Sequence, residues 1–180
     1  MNNTDDIRSN RYIYLASCIL SQGIRAEGIV KHFPAAVDPV VELLMRNKIN
    51  IRSMPCPELY FDDVLRPPCH KAKYDTEANR KVYKTVSGLV ANEIRKIVSA
   101  GYEVIGVVGI EFSPSCAVSK LGGSRFAGGI EQGPGIFIEE LQNNLKSKTN
   151  LILPFMGMRI YQMESSMKEL ERFISPKLFT

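Results

Sequence analysis

The sequence predicts an α/β fold: a single domain with a parallel, Rossmann-like sheet of four main strands and helices on both faces. Its 180 residues suffice for one hydrophobic core but not for two independent ones. Short apolar runs alternate with segments of helical periodicity in the order β-α-β-α-β-α-β-α, which is typical of parallel sheets. Because crossovers between parallel strands are right-handed, the strand order 2-1-3-4 is favoured.

The first half of the chain predicts two strands and one helix. Residues 12–16 form a short apolar run that fits a buried strand, and residues 49–54 alternate like a second strand until Pro55 and Pro57 end it. Between them, residues 34–48 carry apolar side chains at helical spacing. We expect residues 1–10 to form a flexible tail and residues 11–180 to form the single domain.

The second half predicts the longest helix and the central strand. The helix begins after Asp75, a predicted N-cap, and ends at Gly101. Residues 102–110 are almost continuously apolar, as expected for a parallel strand covered on both faces. The remaining predictions are a glycine-rich loop over 122–135, a helix over 136–146, a fourth strand over 151–155 and a helix over 165–174.

The composition excludes several protein classes. With 44% apolar and 23% charged residues the chain is neither disordered nor collagenous, and no apolar run approaches the roughly 20 residues of a spanning helix. Its four cysteines form no CxxC pair, which argues against a zinc ribbon. The segment that ends at Cys18 resembles a lipoprotein cleavage box, but the apolar stretch after Arg11 is too short for a signal peptide. We therefore expect a cytoplasmic, reducing location.

Three cysteines follow three predicted strands. Cys18 comes after strand 1, Cys56 after strand 2 and Cys116 after strand 3. Because the carboxyl ends of parallel strands share one edge, where ligands bind at the switch in strand order, the three thiols are predicted to surround one crevice. They form a metal or cluster site, a redox-reactive trio or three unrelated buried cysteines.

The sequence around each of these thiols resembles the thiouracil desulfidase family. Three motifs follow one another in this family. The first is a cysteine followed by a leucine-rich turn, an arginine, and an acidic residue before glycine. The second is CPE and the third is SPSC. This chain has SCILSQGIRAEG over 17–28, CPE over 56–58 and SPSC over 113–116, in the same order. The block GPGIFIEEL over 133–141 resembles a stand-alone, small-domain branch of the family. The resemblance spans nearly the whole chain, but Ser21, Ala26 and Ala117 depart from the family pattern in the site loops.

The resemblance implies a [4Fe-4S] cluster held by Cys18, Cys56 and Cys116, with one iron free for the sulfur of a substrate. It implies a non-redox desulfidase that removes sulfur as hydrosulfide from a thiolated nucleobase, nucleoside or similar compound, by hydrolytic cleavage of the C–S bond. Two alternatives stay open: a non-catalytic iron–sulfur or sulfur-carrier protein, and a zinc-stabilised structural domain completed by Cys69 or His70.

Four further residues are candidates for the chemistry beside the thiols. Glu58 lies two residues from a predicted ligand and is a candidate base for the attacking water, or a partner of Arg66. Ser113 is a second catalytic candidate and Ser115 a substrate-binding candidate, with turn capping as the alternative for both. Arg25 is predicted to bind substrate.

The positive charge of the chain is concentrated in one stretch. The net charge is +4, and residues 66–96 contain eight Lys and Arg against three Asp and Glu. We expect Arg66, Lys71 and Lys73 to lie near the mouth of the site and to contact RNA or a nucleotide, while a solvated helix face is the alternative for the rest. No membrane partner is expected.

Overall fold

The computed structural model describes residues 6–122 and 129–175, so half of the predicted flexible tail lies outside the described residues. The strands are β1 (Arg11–Ala16), β2 (Asn50–Met54), β3 (Glu103–Ile110), β4 (Lys120–Gly122), β5 (Ile130–Gln132) and β6 (Phe155–Met158). The helices are α1 (Ser17–Leu20), α2 (Asp38–Arg46), α3 (Lys71–Tyr74), α4 (Glu77–Ser99), α5 (Ile136–Asn144), extended by a wider turn over Leu145–Thr149, and α6 (Met163–Ile174).

The main sheet confirms the predicted architecture. Four parallel strands lie in the order β2-β1-β3-β6, which is the predicted order 2-1-3-4. The chain moves outward from β1 to β2, then returns across β1 to β3, so the direction of strand order switches between β1 and β3. In a sheet of this kind a crevice opens at that point, outside the carboxyl ends of the strands.

The core is densest around β3. Every residue of this strand except Glu103 is buried, because helices cover both faces of the sheet. Helix α4 packs its apolar side against α5, and Tyr83 is fully buried between the sheet and the loops that follow the strands. This rigid centre fixes where the loops after β1, β2 and β3 begin. Among the described residues, no helix has both the length and the apolar character needed to cross a membrane.

The predicted position of the fourth main strand was wrong. The strand was expected over 151–155, but β6 begins at Phe155 and ends at Met158. Pro154 lacks an N–H group and so cannot donate to a sheet, although its carbonyl accepts a hydrogen bond from Val107 N at 3.0 Å. Ile152, within the predicted strand, is 95% exposed. The paired segment therefore starts after the proline.

Two further predictions need correction. Thr76, not Asp75, caps helix α4, since its hydroxyl accepts a hydrogen bond from Asn79 N at 3.2 Å, while Asp75 forms an ion pair with Arg80. The segment predicted as a glycine-rich loop contains the short antiparallel pair β4–β5, and residues 123–128 between these strands lie outside the described residues. The other predicted elements are present with shifted ends.

Candidate functional site

A cavity of about 400 Å³ opens at the carboxyl ends of β1, β2 and β3. The loops that follow these strands and β6 form its walls. All four cysteines line it, together with polar, aromatic and apolar side chains. The residues that line it include Cys18, Arg25, Ala26, Ile29, Cys56, Glu58, Arg66, Cys69, Glu111, Phe112, Ser113, Cys116 and Tyr161.

Cys18 lies in the short helix α1, which begins where β1 ends. Burial raises the pKa of its thiol to about 12, and the nearby Arg25 guanidinium opposes this shift. Gln22, a buried residue that the sequence analysis missed, connects the two. Its side-chain amide donates to the carbonyl of Cys18 and accepts a hydrogen bond from Arg25 at 3.2 Å. Arg25 is thereby held at the wall of the cavity, where it was predicted to bind substrate.

Cys56 lies between two prolines, which keep the segment after β2 from continuing as a strand. Burial raises the pKa of the thiol, while the backbone N–H groups of Glu58 and Leu59 hydrogen-bond to the sulfur and oppose that shift. Arg66 Nη2 lies 3.8 Å from the Cys56 sulfur. Hydrogen bonds to sulfur of this kind stabilise thiolate and tune sulfur ligands.

Cys116 is buried in the loop after β3 and is fixed by Ser113. The hydroxyl oxygen of Ser113 accepts hydrogen bonds from the N–H of Ser115 at 3.2 Å and of Cys116 at 3.0 Å. The Ser113 hydroxyl also hydrogen-bonds to the Cys116 thiol, although burial raises the pKa of that thiol well above its usual value. With these contacts Ser113 caps the turn and positions Cys116, and its predicted catalytic role stays a prediction.

The electrostatic surroundings separate three of the thiols from the fourth. Cys18 and Cys56 are the two charged-group neighbours that act most strongly on Cys116, after burial itself. The groups that act most on Cys69 are Tyr74, Glu58 and Lys73 rather than another thiol. The structure thus brings together the three cysteines that were predicted as ligands and leaves Cys69 on another part of the wall.

The zinc alternative receives no support from the described part of the chain. Zn–S bonds of about 2.3 Å require thiolates within about 4 Å of one another. No three His, Cys, Asp or Glu side chains of residues 6–122 and 129–175 are grouped closely enough for one ion. His70 does not line the cavity. The same observation covers the three cysteines predicted to hold a cluster, so it does not favour either metal site over the other.

Glu58 and Arg66 form a buried ion pair at the base of the cavity. Both Nε and Nη2 of Arg66 lie 2.8 Å from one carboxylate oxygen of Glu58, and the two side chains are 4% and 11% exposed. Arg66 also donates to the carbonyl of Ile24 at 3.0 Å, and Glu27 N donates to the carbonyl of Arg66 at 2.9 Å. Arg66 therefore joins the loops that carry Cys18 and Cys56, and Glu58 keeps its predicted place beside Cys56.

The structure does not place Ser115 where the sequence prediction required. Its side chain is fully buried, and its hydroxyl is hydrogen-bonded to the hydroxyl of Tyr83 at 2.8 Å. Ser115 is not among the residues that line the cavity. The prediction that Ser115 binds substrate is therefore replaced by a structural role: it anchors the loop of Cys116 to helix α4.

Glu111 is a buried carboxylate of the cavity that the sequence analysis missed. It follows β3 directly, and it accepts hydrogen bonds from Ser119 N at 3.2 Å, Ser119 Oγ at 2.8 Å and Lys120 N at 2.8 Å. Its side chain lies over Gly157, where an added Cβ would be 1.9 Å from the carboxylate. Glu111 thus pins the segment that follows Cys116. A charged residue directly after a buried strand was the available signal.

An aromatic pair forms another wall of the cavity. The rings of Phe112 and Tyr161 lie 5.7 Å apart at an angle of 45°. Phe112 has a positive φ of 68°, which is rare for a bulky residue and is tolerated where the surrounding structure enforces it. Such residues concentrate at functional sites. No sequence pattern indicated this pair, since its members belong to different loops.

The three cations predicted to contact RNA or a nucleotide are engaged within the protein. Arg66 is paired with Glu58, as described above. Lys71 donates to the carbonyl of Pro134 at 3.0 Å and to Glu139 at 3.2 Å, and Lys73 is paired with Asp62. Each of the three positive charges thus has a partner within the protein, and contact with RNA or a nucleotide stays a prediction.

Comparisons with known proteins return two similarities. No protein-family profile matches the chain. The chain is 28% identical over 147 residues to a protein of Methanocaldococcus jannaschii called Uncharacterized protein MJ0003, covering 82% of this chain and 85% of the relative. It is also similar to a solved structure, that of the [4Fe-4S]-dependent thiouracil desulfidase TudS, with 18% identity and a TM-score of 0.49 over 90% of this chain and 99% of that one.

At this level of similarity the function rests on the geometry of the cavity itself.

Proposed function

We propose that this protein is a non-redox desulfidase that carries a [4Fe-4S] cluster on Cys18, Cys56 and Cys116. The observation that supports the proposal is the placement of three thiols from three strand ends around one cavity, at the switch in strand order. A cluster bound by three cysteines keeps one position open, as catalytic metal centres do. The proposed substrate is a thiolated nucleobase, a nucleoside or a related compound.

The residues around the cavity suit such a cluster. The thiols offer soft sulfur ligands, which iron–sulfur clusters require. Arg25 and Arg66 place positive charge beside Cys18 and Cys56, where it compensates the charge of bound thiolates. Backbone N–H groups and the Ser113 hydroxyl supply the hydrogen bonds to sulfur described above. When bound, the cluster supplies a Lewis-acidic iron that attracts the soft sulfur of a thiocarbonyl group.

The chain itself binds and orients the substrate. Phe112 and Tyr161 offer ring faces to a planar heterocycle, for which offset stacking is favourable. Ala26 and Ile29 contribute apolar side chains to the wall of the cavity. Arg25, fixed by Gln22, presents its guanidinium to an oxygen or a deprotonated ring nitrogen of the substrate. The substrate is thereby held in one plane, with its polar edge toward Arg25.

Glu58 is the proposed base for the attacking water. Its carboxylate lines the cavity, and Arg66 holds it in place through the buried ion pair. Glu58 takes one proton from water as the oxygen attacks the carbon, the second water proton passes to the sulfur, and hydrosulfide leaves as the C–S bond breaks. The oxygen of water replaces the sulfur, so neither carbon nor sulfur changes its oxidation state.

The first test is turnover without a reductant. Protein purified without oxygen is analysed for iron and acid-labile sulfide and is then incubated with 2-thiouracil or 4-thiouracil. We expect about four irons per chain and release of sulfide at the same rate with and without an added reductant. A loaded cluster without turnover would favour the non-catalytic carrier, and strict dependence on electron supply would contradict the hydrolytic reaction.

The second test concerns Glu58. Glu58→Gln removes the proposed base but preserves the size of the side chain, and we expect kcat to fall by about 10²- to 10⁴-fold with iron content retained. The matched control is Glu42→Gln, which removes an exposed carboxylate of helix α2 far along the surface. An unchanged kcat in Glu58→Gln would assign the residue to the ion pair alone.

A further inference from the structure

The block GPGIFIEEL over 133–141 does not line the cavity of the cysteines, but its first residues contact the loop after β3 that carries Cys116. Three consecutive N–H groups of the block donate to three carbonyls of that loop: Gly135 to Ala117 at 2.9 Å, Ile136 to Pro114 at 3.0 Å and Phe137 to Ser115 at 3.0 Å. The acceptors lie on both sides of Cys116 in the chain. The block therefore holds the backbone around this thiol.

These hydrogen bonds also complete helix α5. The helix begins at Ile136, and no side chain caps its first turn, since Gly135 stands at the position before it. The first N–H groups of a helix need acceptors from outside the helix. Here the carbonyls of Pro114 and Ser115 supply them. Loop and helix thus satisfy each other, and a displaced loop would leave donors of α5 without partners.

Gly135 is a glycine because of this contact and not because of its backbone conformation. Its φ of −67° is open to any residue. An added Cβ, however, would lie 2.4 Å from the carbonyl carbon of Ser115 and 2.8 Å from the nitrogen of Cys116. Backbone atoms cannot turn away from such a clash as a flexible side chain can. Any larger residue at position 135 must therefore displace the Cys116 loop.

Strand β3 holds the carbonyl of Cys116 in a similar way. This carbonyl accepts a hydrogen bond from Ile110 N at 2.9 Å. An added Cβ at Gly109 would lie 2.1 Å from the same oxygen. The backbone of Cys116 thus contacts the start of α5 through its nitrogen and β3 through its oxygen, and a glycine allows the close approach at both contacts.

Lys71 fixes the turn that precedes α5. Its ammonium donates to the carbonyl of Pro134 at 3.0 Å and to Glu139, in the first turn of the helix, at 3.2 Å. Lys71 belongs to helix α3, which follows the segment of Cys69. This contact ties the turn over 133–135 to a second part of the chain, so that the start of α5 has a defined position from which to hold the loop.

We propose that Gly135 is a positioning residue for Cys116, and that the first turn of α5 holds this cysteine through the backbone of its loop. None of these residues lines the cavity, so they act on the site only through the loop after β3. The role of Cys116 as a cluster ligand rests on the proposed function, whereas the fixed position of its thiol does not. Residues that orient a metal ligand without binding the metal change the affinity of a site by about 10- to 100-fold.

The position of the thiol is tested in the protein without cluster. Cys116 is buried, so iodoacetamide reaches it slowly while the backbone contacts hold it in place. We expect Cys116 to be alkylated several-fold faster in Gly135→Ala, as measured by mass spectrometry of the digested protein. Cys69 is the internal standard and is expected to react at an unchanged rate. An unchanged rate at Cys116, or an equal increase at both thiols, would overturn the proposal.

The hold on the cluster is tested in protein purified without oxygen. We expect Gly135→Ala to lose iron to a chelator about 10- to 100-fold faster than the unchanged protein, and the EPR spectrum of the reduced cluster to change. If the unchanged protein binds no iron, the desulfidase proposal fails, and the alkylation rates alone decide whether Gly135 positions Cys116.

The matched control is Gly101→Ala, after the end of helix α4. Gly101 has a φ of 87°, and nothing lies within 4 Å of its added Cβ, so the change strains the backbone without any new contact. We expect this control to lower the thermal stability but to keep the rate of iron loss and the EPR spectrum. Iron loss as fast as in Gly135→Ala would reduce Gly135 to a general effect on stability and contradict the proposal.

Where Gly135→Ala does not fold, Lys71→Gln replaces it. This variant frees the carbonyl of Pro134 and the carboxylate of Glu139 without introducing a clash. We expect a smaller increase in the alkylation of Cys116 and in the rate of iron loss. Lys73→Gln is its matched control, since Lys73 lies on the same helix but is paired with Asp62. Equal alkylation of Cys116 in the two lysine variants would overturn the proposal.

Discussion

Two neighbouring segments of the chain, residues 56–66 and 67–75, line the same cavity. They differ in the neighbours of their cysteines and in the exposure of their ion pairs. Each contains one cysteine; the first has one cation paired with a carboxylate, Arg66, and the second has two, Lys71 and Lys73. In the first segment Cys56 is an electrostatic neighbour of both Cys18 and Cys116, and the paired side chains of Arg66 and Glu58 are 4% and 11% exposed. In the second segment Cys69 has no thiol among its main electrostatic neighbours, and the pair of Lys73 with Asp62 is 43% and 23% exposed.

This difference shows that lining a cavity does not by itself make a residue part of a site. The segment 56–66 lies directly after β2, so the sheet fixes its backbone and Pro57 begins a short helical turn that directs N–H groups to Cys56. The segment 67–75 begins with two more prolines, and its ion pairs are more exposed, so solvent screens their charges. The predictions below test this contrast between a buried inner segment and an exposed outer one.

The largest expected effect is on cluster loading. Cys56→Ser, and likewise Cys18→Ser or Cys116→Ser, replaces a soft thiolate with a hard hydroxyl and is expected to abolish nearly all iron and labile sulfide. Cys69→Ser is the matched control and is expected to retain both. The measurement is iron and sulfide content after purification without oxygen, with circular dichroism to verify folding. A Cys56→Ser protein with full iron content, or a Cys69→Ser protein without iron, would contradict the prediction that Cys56 is a cluster ligand and Cys69 is not.

The next effect concerns the stability of the inner ion pair. Arg66→Gln leaves Glu58 buried without its cation, and breaking a buried pair in this way costs about 3–5 kcal/mol. The double variant Glu58→Gln, Arg66→Gln removes both charges and is expected to regain a large part of that loss. Urea unfolding of the protein without cluster measures both values. If Arg66→Gln costs less than about 1 kcal/mol, the Glu58–Arg66 pair contributes no more to the free energy of unfolding than an exposed ion pair does.

The inner segment was also the more predictable one. The strand order and the positions of Cys18, Cys56 and Cys116 after three strands follow from apolar patterning and the handedness of crossovers, and the structure agrees with the fold that they predict. The start of β6 was missed, because Pro154 shifts the strand by its lack of an N–H group. Ile160 and Tyr161, in the segment after β6, line the cavity, and no apolar pattern in the sequence places them there.

Side-chain partners were less predictable than positions. Ser113 and Ser115 are two residues apart in one motif, yet one hydroxyl caps the turn of Cys116 and the other pairs with Tyr83 inside the core. Gln22 and Glu111 act through backbone groups that only folding brings near them. Lys71 and Lys73 looked free in the sequence because only folding brings Glu139 of helix α5 and Asp62 close to them.

A smaller effect is expected where Glu111 closes the far side of the cavity. Gly157→Ala forces the Glu111 carboxylate to move, because the new Cβ would lie 1.9 Å from its oxygen, and the hydrogen bonds to Ser119 and Lys120 are then disturbed. We expect a loss of about 1–3 kcal/mol, as for other overpacked sites. Gly23→Ala is the control, since nothing lies within 4 Å of its added Cβ. Equal thermal stability of the two variants would show that Glu111 moves without cost.

The smallest effect is expected for the outer ion pair. The Lys73 ammonium and the Tyr74 hydroxyl hold the pKa of Asp62 below its usual value. A carboxyl group with a lowered pKa stabilises the folded state above its unfolded pKa, near 4, and this contribution is lost as the pH falls through the folded pKa. Lys73→Gln should therefore cost less than about 1 kcal/mol at pH 7, because solvent screens the pair, and the difference from the unchanged protein should shrink below about pH 3. Urea unfolding at the two pH values measures it, with Lys168→Gln, which breaks an exposed pair on helix α6, as the control. A loss at pH 7 as large as that of Arg66→Gln would contradict the distinction between the two segments, since it would require Lys73 to act as a buried charge.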